Sequence, residues 1–243
     1  MRSLFLLALL PFAGGAARAD GLDDARSARA LLGPGAWARV VRIENPPPRG
    51  LGRRLPYPET AYGLIFELSG ILWFYSGADG TQSLSIRRGA LAADKADPGP
   101  LLRAISPRFN AWSWVDEPAA RPGSRPPPNA CLLECLADLR RRIAIGAQAD
   151  SPRLLFFYVD TPTGRLGHTV LLFGLAGGVA ADDPDHPAGP IRLPAGLGDD
   201  ARSIAAYLRG GPVAAVRVLP LAPPGPAPAA HWAVVPSATR PTG

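Results

Sequence analysis

Apolar positions along the chain fall into short runs punctuated by glycine and proline, and the period of each run sets the element it predicts. Residues 62–68, 71–75 and 81–86 are three strand-length runs of aromatic and β-branched residues, separated by Ser69-Gly70 and by Gly77-Ala78-Asp79-Gly80. Such punctuation predicts an antiparallel β-meander. Upstream, Leu22, Ala25, Ala28 and Leu32 recur at helical spacing, with Asp20, Asp23 and Asp24 leading and Arg26 and Arg29 trailing, which suits the dipole of a short helix over 20–33. Residues 37–43, with Val40, Val41 and Ile43, read as a strand, and 101–105 as a short helix.

The strongest helical period runs from Ala130 to about Ile145, where Leu132, Leu136, Leu139 and Ile143 form the stripe expected to be buried. Pro126, Pro127 and Pro128 block extension upstream, and the Asn129 side chain is placed to cap the first turn. Arg140, Arg141 and Arg142 load the other end and read as a solvated helix terminus, with Gly146 closing it. Strands follow at 154–159, 168–173 and 179–181, with a turn at 161–164. Asp199 or Asp200 then caps a helix that stops at Gly210, and 213–219 forms a last strand. Because strands are joined by hairpin turns rather than alternating with helices, the fold class is α+β: a β-meander followed by a helix packed on an antiparallel sheet.

The ends and the proline tracts set the domain plan. Arg2, an apolar run over 4–12 and the triplet Ala17-Arg18-Ala19 match a secretory signal peptide cleaved after Ala19. The run is about half the ~20 residues that a bilayer span requires. The expected product is periplasmic or secreted, with no transmembrane segment in the mature chain. Residues 20–60 form an N-terminal segment and a proline-rich linker, 61–219 the α+β domain, and 220–243 a proline-rich tail. Glycine and proline number 27 and 29 of 243 residues, yet 47% of the chain is hydrophobic, which is too apolar for a disordered protein. Loss of Arg2 and Arg18 with the leader lowers the formal net charge from +6 to +4, too small to specify a partner. Lys95 is the sole lysine, so the basic balance reflects arginine-rich composition. No phosphate loop or nucleic-acid motif appears, and neither substrate nor oligomeric state can be read from the sequence.

Chemistry concentrates around two cysteines, the only ones present. Cys131 and Cys135 lie four residues apart in one predicted helix, where nearly parallel side chains disfavour an unstrained disulfide, although a later helix start would permit one. Too few further ligands surround them for a structural zinc site, so no metal or cofactor is expected. Two readings stay open. Both thiols can be small core residues. Alternatively Cys131, close to the helix start, is a nucleophile, since free amides and the helix dipole there favour thiolate over thiol, while Cys135 sits nearer the centre of the buried stripe. A base and an orienting acid are then required, and His168 at a strand start, followed by Asp182 and Asp183 after the next strand, supplies them. If 174–177 is a four-residue hairpin loop, His168 faces Asp183; if Gly177-Gly178 is a two-residue turn, His168 faces Pro187 instead.

Asn129-Ala130-Cys131 opening a helix, Gly167-His168-Thr169-Val170-Leu171-Leu172 on a strand, and Ala181-Asp182-Asp183-Pro184 after a Gly-Gly turn together resemble the papain-like and bacterial transglutaminase-like cysteine hydrolases. The resemblance covers residues 125–195. It implies a papain/transglutaminase-like fold in which Cys131 attacks an amide or ester carbonyl, His168 shuttles the proton and Asp183 fixes the imidazole, with thiol and ring in contact. A peptide or cell-wall peptide is the implied substrate class. The competing function is a non-catalytic exported binding or envelope-associated domain, with Tyr62, Trp73, Phe74 and Tyr75, or Trp112 and Trp114, as its contact surface.

Overall fold

The computed structural model describes residues 21–44, 60–68, 71–77, 80–83, 95–109, 111–115, 127–162, 164–186 and 188–221. Residues 1–20, the prolines at 46–48, most of the proline-rich run before Asn129 and residues from 222 onward lie outside them. Two antiparallel five-stranded sheets organise the chain. The first contains β1 (Ala38–Glu44), β2 (Thr60–Leu68), β3 (Ile71–Ser76), β4 (Gly80–Ser83) and β5 (Ala111–Trp114), in the order β4-β3-β2-β1-β5. The second contains β6 (Asp150–Thr161), β7 (Gly164–Leu175), β8 (Gly178–Asp182), β9 (Ile191–Arg192) and β10 (Ala215–Pro220), in the order β10-β6-β7-β8-β9. Helices α1 (Gly21–Leu32), α2 (Gly99–Ile105), α3 (Cys131–Ala144) and α4 (Ala201–Arg209) complete the α+β architecture. Among the described residues no helix is long and apolar enough to cross a membrane.

The sheets share one core. Trp73 of the first sheet stacks on Phe66 at 6.3 Å and on Phe156 of the second sheet at 6.0 Å between ring centroids, so a ladder of aromatic rings links them. Ala25, Ala28 and Leu32 of α1 and Leu132, Leu133, Cys135, Leu136 and Leu139 of α3 pack into the same cluster. Helix α1 packs into this core, and strand β1 lies between β2 and β5. Leu101, Leu102 and Phe109 cover the far face of the first sheet, and Ile204 and Ala205 of α4 that of the second. The α4 boundaries follow local chemistry: the Asp200 carboxylate accepts from the Ser203 amide at 2.8 Å, and Gly210 takes the left-handed conformation at φ 70°.

Three local expectations are corrected. Asn129 does not cap α3: Ala130 stands at the N-cap without a side-chain hydrogen bond, and Asn129 takes φ 54° in the preceding turn. Ile143 leaves the buried stripe and is 40% exposed, because the helical period brings Arg142 inward, its guanidinium 4.3 Å from the Phe173 ring centroid. Arg140 and Arg142 are accordingly anchored, while Arg141 is solvent-exposed as expected. Finally, β7 and β8 pair as Leu175↔Gly178 through Leu171↔Asp182, which leaves a two-residue turn of Ala176 and Gly177, both at positive φ. Neither register anticipated from the glycines occurs, since Ala176 itself takes the left-handed conformation.

Candidate active site

Strand pairing sets the stage for the site. β8 ends at Asp182 opposite Leu171, so the stretch of β7 that carries His168 is hydrogen-bonded to β6 on one side and leaves β8 behind on the other. His168 pairs across to Phe157, whose ring meets the imidazole edge-on at 5.3 Å and fixes its tilt. Immediately past β8 the chain turns, with the His186 amide donating to the Asp183 carbonyl at 2.8 Å. That turn swings Asp183 back toward β7, and its Oδ1 lies 2.8 Å from His168 Nε2. The Asp185 amide donates to the same oxygen at 2.9 Å, so the carboxylate is held from two directions.

Cys131, the first residue of α3, is half-buried and lies close enough to His168 to raise the imidazole pKa. With Nε2 engaged by Asp183, Nδ1 is the ring nitrogen left for another partner. The Asp185 carboxylate lies 3.7 Å from that nitrogen, with its side chain 80% exposed. Burial works to lower the His168 pKa, but the hydrogen bond to Asp183 and the neighbouring Cys131 sulfur outweigh it and raise the imidazole to about 10. Burial conversely pushes Asp183 up, and the hydrogen bond and charge of His168 overcome that and hold its carboxyl below the usual range. Glu134, one helical turn beyond Cys131, is raised by burial and then by the neighbouring Asp185 and Asp138 carboxylates.

The structure thus brings Cys131, His168 and Asp183 together and separates Asp182 from Asp183. Consecutive residues leave a strand on opposite faces, and Asp182 accepts from Arg142 Nε at 2.6 Å on the α3 side. Cys135 is fully buried, its thiol directed at the Thr169 carbonyl at 3.5 Å, and burial raises its pKa. Both cysteines are free. The other sequence candidates stand apart. Trp73 and Phe74 are buried core residues, and Trp112 and Trp114 sit on β5, packed edge-to-face at 5.3 Å and grouped with Trp37. His231 lies outside the described residues. One ligand atom each from His168, Asp183 and Asp185 falls within 4.8 Å of the others, a donor set of the kind that takes a divalent ion.

Sequence reasoning named Tyr75 and Asn129 but missed the contacts they make between the first sheet and the turn before Cys131. The Tyr75 hydroxyl donates to the Pro128 carbonyl at 2.7 Å, and Asn129 Nδ2 donates to the Gly77 carbonyl at 2.9 Å. Burial first, then the charges of Asp24, Glu134 and Cys131, raise the Tyr75 phenol, which keeps it a neutral donor. These contacts span 53 and 52 residues, and no local pattern announces them. No family model, curated protein or solved structure matches this chain.

Proposed function

We propose that this protein is an exported thiol hydrolase or acyltransferase acting on a peptide-like amide through Cys131, His168 and Asp183, in a papain-like or transglutaminase-like arrangement. One observation carries the reading: a single imidazole is hydrogen-bonded at Nε2 to the Asp183 carboxylate 2.8 Å away, and the helix-start thiol of Cys131 is a close enough neighbour to raise its pKa. Base and orienting acid are hydrogen-bonded beside a candidate nucleophile, the set that covalent catalysis requires. Nδ1 takes the thiol proton, and the sulfur attacks the carbonyl carbon. The amides of the first turn of α3 lack intrahelical acceptors and face the developing oxyanion, the Cys131 N–H foremost. The imidazolium returns its proton to the leaving amine as the C–N bond breaks, giving a thioester. A water that surrenders a proton to His168, or an acceptor amine, then releases the acyl group and restores the thiol. Export rests on the leader-like residues 1–19, and a cell-envelope peptide is the substrate class that this compartment and chemistry favour.

Iodoacetamide labelling at pH 6 tests the proposal, read by peptide mass analysis. Cys131 is expected to label at that pH and Cys135 to stay protected in the folded protein, while His168→Ala is expected to slow Cys131 by at least about a hundredfold, the scale of general-base contributions. A Cys131 that labels no faster than a free thiol, or equally fast without His168, overturns the hydrolase and leaves the binding domain.

A further inference from the structure

The first turn of α3 has no side-chain cap of its own, yet its opening residue must hold a sulfur against an imidazole presented by the other sheet. What fixes it lies immediately upstream. Pro128 and Asn129 form the turn that enters the helix, and β3 with the residue after it grips that turn twice, through the Tyr75 hydroxyl on the Pro128 carbonyl and the Gly77 carbonyl on Asn129 Nδ2. Tyr75 is fully buried and a phenol in that setting keeps a single oriented donor, so the contact is rigid. Asn129 at φ 54° occupies the left-handed region, which asparagine tolerates better than other residues bearing a Cβ. At Gly77 an added Cβ would stand 2.3 Å from Asp24 Oδ2 and 3.2 Å from Pro128 Cγ, so β3 approaches this turn closely there.

We infer that Tyr75 and Asn129 are positioning residues through which the first sheet sets the nucleophile: they pin the 128–129 turn so that Cys131 meets His168 of the second sheet. The inference builds on the hydrolase reading and assigns the meander a part in it. Neither residue touches reacting atoms. Each acts through the backbone two or three residues ahead of the sulfur, where a displacement of about 1 Å is enough to lower a rate on the order of a hundredfold. The two sheets therefore divide the work. The second carries base and acid, and the first holds the thiol at the correct reach.

The test uses Tyr75→Phe, which keeps the ring and its packing but removes the donor, and Asn129→Gly, which keeps the left-handed backbone but removes the amide. Two readouts are taken on the full chain below its unfolding temperature: the pH profile of Cys131 alkylation and the imidazole NMR titration of His168. In each variant alkylation at pH 6 is expected to fall about tenfold or more, with little change at pH 9, where free thiols ionise without help. The His168 resonances are expected to shift in both variants and to stay in place in Arg142→Met, a control at the far end of α3. Resonances and alkylation profile unchanged in both variants overturn the clamp. Should the unmodified protein fail to label at pH 6, the hydrolase reading falls by itself, and the His168 titration still decides whether Tyr75 and Asn129 set the thiol-imidazole contact. Should Tyr75→Phe fail to fold, Asn129→Gly alone decides, since its side chain is exposed and leaves the core untouched.

Discussion

The two ends of α3 are fastened by different physics. At its C-terminal end the fastenings carry charge: Arg140 donates to the Leu31 carbonyl of α1, and Arg142 combines an ion pair to Asp182 with a guanidinium laid over Phe173. At its N-terminal end the fastenings are neutral, a phenol and a carboxamide reaching from the first sheet. Cations suit the negative end of the helix dipole, and the positive end is left without a capping carboxylate. That difference has a chemical consequence. A charged anchor beside Cys131 would perturb the proton shared with His168, whereas neutral donors fix position and leave the charge to the pair. Asp182 and Asp183 repeat the contrast in two consecutive residues, one anchoring α3 and the other orienting the imidazole.

The contrast predicts that damage to the two ends is read by different measurements, and the charged end gives the largest effect. Arg142 and Asp182 side chains are only 18% and 13% exposed, so Arg142→Met leaves a carboxylate mostly buried and unpaired. A loss of about 3 kcal/mol in unfolding free energy is expected in urea denaturation, since removal of one partner strands the other charge. Alkylation of Cys131 should be unchanged below the midpoint. A slowed Cys131 in Arg142→Met would show that the C-terminal anchor also sets the thiol, and the two ends would lose their distinct roles.

Stability against pH sharpens the same comparison. His168 is raised from its ordinary 6.5 to about 10 in the folded protein. Its contribution is therefore fully present below pH 6.5 and is lost as pH climbs from there toward 10. Asp183 runs the other way, held below its ordinary 3.8, so its contribution is present above that value and is lost in stronger acid. Unfolding free energy should accordingly be highest between those limits and decline through the alkaline window. His168→Gln should flatten the decline, whereas Arg142→Met should lower the curve without bending it there. A slope between pH 6.5 and 10 that persists in His168→Gln would place its origin elsewhere.

Much of this was legible in the sequence where a rule is local. The meander, α3, the capped α4 with its left-handed Gly210 and the final strand follow from period and punctuation, because each is decided within a few residues. Cys131, His168 and Asp183 could be chosen by order along the chain, helix-start thiol before strand-start histidine before aspartate. What escaped is long-range or conformational. Asn129 is the residue type that caps helices, and only the Gly77 carbonyl, 52 residues away, explains why its side chain turns elsewhere. Arg140 and Arg142 read as solvated because Leu31 and Asp182, their partners, are invisible to a helical projection. Tyr75 looked like core, and it is core, with a hydroxyl that also serves the turn before the site.

The smallest expected effect concerns the turn that sets where Asp183 emerges. Reading the glycines gave either a four-residue loop or a Gly177-Gly178 turn, whereas the chain reverses at Ala176-Gly177, with φ 45° and 80°. Two consecutive residues at positive φ suit the right-handed twist of a hairpin, and Asn-Gly is the pair that adopts them most readily. Alanine carries a left-handed penalty of roughly 1 kcal/mol there that asparagine partly relieves. Ala176→Asn keeps the exposed position and the amide that donates to Gln148 Oε1 at 3.3 Å. It should therefore stabilise the protein by about 0.5 kcal/mol, visible as a higher urea midpoint at unchanged slope. Were Gly177-Gly178 the turn, Ala176 would be a strand residue and asparagine would destabilise it; within a four-residue loop it would do nothing. A lowered or unmoved midpoint would thus reject the observed register and, with it, the path that brings Asp183 back to His168.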